Sequence, residues 1–362
     1  WSSDVCSSDL EAVASSGAQI MPPVMGSAAF LMAGLLGIGY WSIVVAALIP
    51  AFLYFIALHV QVELYIRAQG LQATQERLPT LGEAMRSGGH LMLALAALIA
   101  PLFIGASPQL SAFIGLAALF IVSLLHRSTR IRMSQYLESI IDAMANNVAV
   151  GAAVTTAGIL MGTLWVSGAG NLLADFVIAT ANGHLLVALV LTAVVALVLG
   201  MGLPTPAVYL TVAVLIVPAL VKMGAPEFAS HMFAFYFGIL ANVTPPVALA
   251  AYAAASIAGA DLNRTGLVAL RLAISGFVVP FIFVYSPALL LKGDVGAIVQ
   301  TAVAALLAVL ALSLAVEGWL RGKLPLWRRA LLLVATLCLA MPDTGWRLAG
   351  AALLGMVALP AL

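Results

Sequence analysis

Apolar residues run in long blocks along this chain, separated by short polar connectors. The blocks fall at Pro22–Gly39, Tyr40–Ile66, Leu91–Ile104, Gln109–Leu125, Val148–Val166, Leu172–Ala181, Leu185–Leu199, Ala207–Val221, Phe228–Leu240, Val247–Gly259, Leu267–Leu291, Val295–Val316, Ala330–Met341 and Leu348–Leu362. A helix needs about 20 apolar residues to cross a bilayer. Several blocks are shorter, as re-entrant or broken helices are. One connector has a different rhythm. In Arg130–Ala145, Met133, Leu137, Ile140, Ile141 and Met144 share one helical face, which predicts an interfacial helix on the cytoplasmic surface. Thr80–Gly89 reads as a polar connector.

Composition changes the picture from apolar helices to membrane helices. Of 362 residues, 64% are hydrophobic and 8% charged, against roughly 25% charged in soluble domains. So few charges cannot cover a surface with water contact, so lipid is the expected solvent. The predicted fold class is an all-α polytopic membrane protein, with room for roughly ten or more membrane segments. A net charge of +1 points to no nucleic-acid partner. Cys6 and Cys338 lie far apart, and Cys338 reads as a small apolar filler. Trp1–Leu10 is Ser/Asp-rich, lacks the features of a signal peptide and is read as a non-native leader.

The sparse basic residues set an orientation. Arg67, Arg77 and Arg86 form one cluster, Arg127, Arg130 and Arg132 a second, Arg321, Lys323, Arg328 and Arg329 a third, and Arg264 with Arg271 a weaker fourth. The positive-inside rule puts all four on the cytoplasmic side. Gly168–Gly183 has no Lys or Arg and is expected outside.

One motif occurs twice. Gln19-Ile-Met-Pro-Pro-Val24 returns as Asn242-Val-Thr-Pro-Pro-Val247, each with a carboxamide three residues before Pro-Pro and small residues after it. The first copy leads to a span ending at cytoplasmic Arg67, so its following segment runs outward. The second leads to Asp261 and Arg264, so its following segment runs inward. Oppositely directed copies are the pattern of an inverted repeat in secondary transporters. Paired prolines remove N–H donors and unwind a helix. The freed carbonyls need protein or a watery cavity. With the oxygens of Gln19, Asn242 and Thr244 they make a hard-oxygen site suited to Na⁺. The N-termini of the following half-helices can attract an anion. A second break, Gly200-Met-Gly-Leu-Pro-Thr-Pro206, interrupts the apolar run Leu185–Val221. The candidate ion- and substrate-binding residues are Gln19, Pro22, Pro23, Gly200, Gly202, Pro204, Thr205, Asn242, Thr244, Pro245 and Pro246, with Na⁺ at Gly202, Thr205, Asn242 and Thr244. Gly200 lies 42 positions before Asn242, and the corresponding glycine motif of the first copy would fall before residue 1. The first repeat is therefore expected to lack its opening arm.

Other chemistries find little support. No HExxH, Walker or Asp-rich diphosphate motif occurs. No enzymatic activity and no cofactor is predicted, with Na⁺ as coupling ion. His59 with Glu63 reads as a snorkelling pair near a helix end, and His184, His231 and Asp175 as interfacial.

At these motifs the chain resembles the large membrane subunit of tripartite ATP-independent periplasmic (TRAP) transporters, and the fused permeases of the TAXI type in particular. The resemblance is carried by EAVASSGAQIMPPVMGSAAFLMA (Glu11–Ala33), GMGLPTPAVYL (Gly200–Leu210), FYFGILANVTPPVALAAYAAASIAGAD (Phe235–Asp261) and RLAISGFVVPFIFVYSPALLL (Arg271–Leu291). It implies an elevator-type importer in the bacterial inner membrane. Such an importer takes an organic acid, as its carboxylate, from a periplasmic solute-binding protein and couples uptake to Na⁺. It maps hairpin tips onto Gln19–Pro23 and Asn242–Pro246, and a broken-helix loop onto Gly200–Pro206. Pro206 stands where the family pattern implies a hydroxyl residue. The small-subunit portion is not found in this sequence, so the fragment is expected not to transport alone. The implied organisation is a leader at 1–10, the remainder of a first inverted repeat at 11–66, connecting spans and the interfacial helix at 67–145, a second repeat at 146–291 and additional helices at 292–362. A structural or assembly subunit without its own substrate site and a stand-alone cation-coupled antiporter are the alternatives.

Overall fold

A computed structural model of the chain describes residues 3–70, 80–125, 130 and 132–358. These residues form α-helices, short 3-10 turns and no named strand. Four of the helical spans are long and apolar enough to cross a membrane: Tyr40–Gln69, Pro108–Leu125, Leu262–Tyr285 and Val295–Glu317. The protein is an all-α polytopic membrane protein. Large apolar side chains such as Phe113, Leu116 and Leu337 face outward, as a lipid solvent requires.

α1 (Ser3–Ala18) and α2 (Ser27–Leu36) are joined through a turn that holds Pro22 and Pro23. α1 runs through most of the Trp1–Leu10 segment without a break. α2 stops at Gly37, whose φ of 62° lies in the left-handed region that glycine adopts freely. α3 (Tyr40–Gln69) follows. Near its C-terminal end Glu63 pairs with Arg67 at 2.7 Å.

The connecting region begins with α4 (Leu81–Gly88), set at 77° to α5 (Leu91–Phe103). α4 carries a capping box: Thr80 accepts from the Glu83 N–H, and the Glu83 carboxylate accepts from the Thr80 N–H. α5 packs on α6 (Pro108–Leu125) at Gly115, where a Cβ would lie 2.7 Å from the Leu98 Cβ. α7 spans Met133–Val166. The segment predicted as a separate interfacial helix thus continues unbroken into the next apolar block, because no Gly or Pro lies between Met133 and Val150. Its apolar face, including Leu137, Ile140 and Met144, remains exposed. Arg77 and Arg127 lie outside the described residues.

The second half runs through α8 (Ala169–Ala181), α9 (Leu185–Leu199), α10 (Thr205–Leu215), α11 (Val217–Lys222) and α12 (Glu227–Leu240). The apolar block Ala207–Val221 is split at Ile216, because the Pro218 ring displaces the carbonyl one turn upstream. α12 is buried on every side from Phe228 to Leu240, as its all-round apolar sequence demands. A 3-10 turn, Ala241–Val243, leads to α13 (Leu249–Ala258), α14 (Leu262–Leu272) and α15 (Ile274–Tyr285). The block Leu267–Leu291 is likewise divided. The Gln61 side chain donates to the Arg271 carbonyl at 3.2 Å, inserting into the helical ladder just before the break at Ala273.

The two halves correspond beyond their motifs. A shift of 223 positions superposes Gln19 on Asn242, Ser27 on Ala250 and Tyr40 on Asn263. α2 therefore falls on α13, and the start of α3 on the start of α14. Their packing is reciprocal: α1 lies against α13, α12 against α2, and α3 against α15. At the seam Tyr54 is held between two glycines. A Cβ on Gly17 would come within 2.3 Å of its ring, and one on Gly276 within 2.9 Å. Small residues let membrane helices approach this closely.

The remaining helices are α16 (Val295–Glu317), α17 (Leu326–Ala340) and α18 (Thr344–Ala358). α16 packs on α3, α17 on α16, and α18 on α17. Arginines tie them down. Arg271 pairs with buried Glu317 at 2.8 Å, and Arg329 donates to the Ala315 and Val316 carbonyls. Buried Arg347 reaches Thr301, Ser286 and the Met341 carbonyl. Cys338 is buried.

Candidate functional site

The two Pro-Pro copies take the same backbone course. Pro22–Pro23 and Pro245–Pro246 are both cis. Two residues past each pair comes a positive φ, 55° at Met25 and 34° at Ala248. Each of those residues donates its N–H four residues back, to Met21 at 3.3 Å and to Thr244 at 3.1 Å. The carbonyl of the second proline is held by a tyrosine hydroxyl in both, Tyr40 on Pro23 at 3.0 Å and Tyr252 on Pro246 at 2.9 Å. Freed carbonyls thus find protein donors, as helix breaks at membrane depth require.

The copies meet at one cavity of about 460 Å³, lined by Ser15, Ser16, Gln19, Ser27, Pro204, Thr205, Pro206, Asn242 and Ala250. Ser27 and Ala250 occupy equivalent places in the two repeats, as do Gln19 and Asn242. The Gly200–Pro206 loop closes a third side. Gly200 has an ordinary helical φ of −72°, so its glycine serves space: a Cβ there would sit 2.2 Å from the Ala241 Cβ. Gly202 serves conformation, with φ +90° and nothing near its missing Cβ. The two glycines bring Thr205 to Asn242, whose Nδ2 donates to Thr205 Oγ1 at 3.1 Å.

The electrostatics come from helix ends. α2, α10 and α13 start at the cavity, and none has a side-chain N-cap. Each helix start carries about half a positive charge and is a natural place for an anion. α1 ends at the cavity with Ser15 and Ser16 on its last turn and Gln19 just past its end, which contributes a partial negative charge. No Asp, Glu, His, Lys or Arg is among the lining residues.

Of the residues singled out from sequence, Gln19, Pro204, Thr205 and Asn242 come together at the cavity. Pro22, Pro23, Pro245 and Pro246 shape the turns beside it, and Gly200 and Gly202 shape the loop. Thr244 does not line the cavity, and its hydroxyl donates to the Leu240 carbonyl at 2.6 Å. Ser15, Ser16, Ser27 and Pro206 join the site in addition. The serines were legible in principle, since Ser15 and Ser16 stand one helical turn before Gln19. His231, predicted interfacial, is instead buried and hydrogen-bonded to Tyr209 at 2.8 Å. Asp175 is exposed and pairs with Lys222 at 3.5 Å.

Paired helix breaks closing on one polar cavity, in an all-α protein that spans the membrane, describe a membrane transport component. Residues 4–298 match the profile of the tripartite ATP-independent periplasmic transporter, DctM component, and the chain belongs to that family. No curated protein matches the chain.

Proposed function

We propose that the chain is the permease subunit of a secondary importer in the bacterial inner membrane. It receives an organic acid from a periplasmic solute-binding protein and couples its movement to Na⁺. The observation that carries this reading is the convergence of three uncapped helix N-termini on a cavity shared by both Pro-Pro copies. That arrangement suits a carboxylate without any cationic side chain. Thr205 Oγ1 and the Asn242 Oδ1 are hard oxygens of the kind Na⁺ takes. A Na⁺ bound there lies close enough to a carboxylate for each to favour the other, which is the physical basis of coupling. Each charge carried inward yields about 2.3 kcal/mol per 100 mV. The oppositely directed repeats fit an elevator movement around this site.

The test is uptake of radiolabelled acid into proteoliposomes holding this chain with its partner subunits. Uptake is expected only with an inward Na⁺ gradient and the binding protein present. Uptake that survives removal of both sinks the proposal.

A further inference from the structure

A second cavity, of about 770 Å³, lies between α6 and the first half of α7. Leu116, Leu119 and Phe120 of α6 line it with Ile140, Ala143 and Met144 of α7, and Leu91 at the start of α5 joins them. Tyr136 bridges the two helices at this groove. Its hydroxyl shares a hydrogen bond with Ser123, and its ring packs on Phe120 with centroids 4.8 Å apart. The lining residues of α7 run from Tyr136 to Asn147, a rise of about 16 Å. That is one leaflet, half of a hydrocarbon core roughly 30 Å thick. The groove therefore has the length of a lipid chain and is too short to seat the spanning helix of a partner.

One end of the groove is basic. Arg132 stands one helical turn before Tyr136, Arg130 two residues further back, and Arg86 five residues before Leu91. All three are exposed, and none pairs with a carboxylate among the described residues. The acids nearest in sequence lie elsewhere. Glu83 caps the start of α4. At about 100° per residue, Glu138 and Asp142 fall on the side of α7 away from the lining residues. α4 exposes Leu81 and Met85 on one face and meets α5 at 77°, as a helix lying along a membrane surface does. The positive-inside rule puts this end at the cytoplasmic face.

We propose that the groove binds an anionic phospholipid of the cytoplasmic leaflet, with one acyl chain along α6 and α7 and the phosphate at Arg86, Arg130 and Arg132. A bilayer fills any apolar groove with lipid chains, and the arginines make this one selective by charge. Each basic group at an anionic headgroup contributes about fivefold in affinity. The lipid covers the exposed apolar face of α7 and braces α6 beside the Tyr136 bridge.

Native mass spectrometry of the purified full chain, titrated with dioleoyl phosphatidylglycerol or dioleoyl phosphatidylethanolamine, tests this. One phosphatidylglycerol is expected to bind at least about tenfold more tightly than phosphatidylethanolamine. Arg86→Gln, Arg130→Gln and Arg132→Gln together should remove that preference. Ala143→Trp, at an exposed position on the lining, should fill the groove and remove the tight site with the arginines intact. Arg321→Gln with Lys323→Gln, in the C-terminal basic cluster, should leave the preference unchanged. Equal binding of the two lipids overturns the proposal. So does a preference that survives the triple change or Ala143→Trp, or one that is lost in the Arg321 and Lys323 variant.

Discussion

Gly200→Ala isolates the contact that positions the loop against the second Pro-Pro copy. The added Cβ would lie 2.2 Å from the Ala241 Cβ and 3.0 Å from the Ala196 carbonyl oxygen. Neither neighbour can rotate away, since one is fixed to the backbone and the other belongs to it. Ordinary contact therefore requires a shift of more than about 1 Å between the loop and the 3-10 turn. Overpacking of this kind costs about 1–3 kcal/mol. The same shift pulls Thr205 from Asn242, now 3.1 Å apart, and displacement by about 1 Å can cost a site on the order of 100-fold. The expected result is a lower unfolding midpoint in detergent and carboxylate affinity reduced at least about tenfold. Ala241→Gly removes the atom in the way, so the double variant should recover most of both losses. Gly202→Ala meets no atom but places a side chain at φ +90°, so its cost of about 1–3 kcal/mol should not be relieved by Ala241→Gly. Unchanged stability and binding in Gly200→Ala, or no recovery in the double variant, refutes the reasoning.

Three further outcomes are expected. Arg271→Met leaves Glu317, whose side chain is fully buried, without its ion partner. It should destabilise by about 3–5 kcal/mol in chemical unfolding, and the double change with Glu317→Leu should restore most of that. Thr205→Val removes the acceptor for Asn242 Nδ2 and should weaken carboxylate binding about tenfold in titration, with little change in unfolding midpoint. In α4, the Thr80 N–H and hydroxyl hold the Glu83 carboxyl below its usual range. A depressed folded value means its stabilisation is present above the unfolded pKa and is lost as pH falls through the folded one. Amide exchange in Leu81–Met85 should therefore be protected at neutral pH and lose protection in acid, and Glu83→Gln should remove that pH dependence.

The breaks in the helices were legible because proline and glycine act locally. Pro22–Pro23, Gly200–Pro206 and Pro245–Pro246 interrupt their helices where backbone chemistry says they must. Equivalence of the two copies was legible too, through the carboxamide that precedes each pair. The breaks at Ile216 and Ala273 were harder. The first follows from Pro218, but the second depends on Gln61, 210 positions away, donating into the ladder at Arg271. Long-range contacts of that kind leave no periodicity behind. Thr244 looked like a ligand because it follows Asn242 in the motif, yet its hydroxyl bonds back to the Leu240 carbonyl at the end of α12, a competition that residue type alone does not decide. Ser16 was overlooked in a run of small residues, because only the fold puts it on the cavity lining. His231 shows the reverse error. A lone histidine near a helix start reads as interfacial, but Tyr209 and the surrounding helices bury it.

The central claim is that both Pro-Pro copies contribute to one carboxylate site. Ser27→Cys and Ala250→Cys place thiols at equivalent points of the two repeats, on the lining of the same cavity. Each is made separately with Cys6→Ser and Cys338→Ala, and alkylation by a small methanethiosulfonate is followed with and without a carboxylate that the assembled transporter takes up. The account predicts that the sodium salt slows alkylation at both positions with the same half-maximal concentration, and that the choline salt protects neither. Protection at Ala250→Cys alone, or at different concentrations for the two positions, contradicts it.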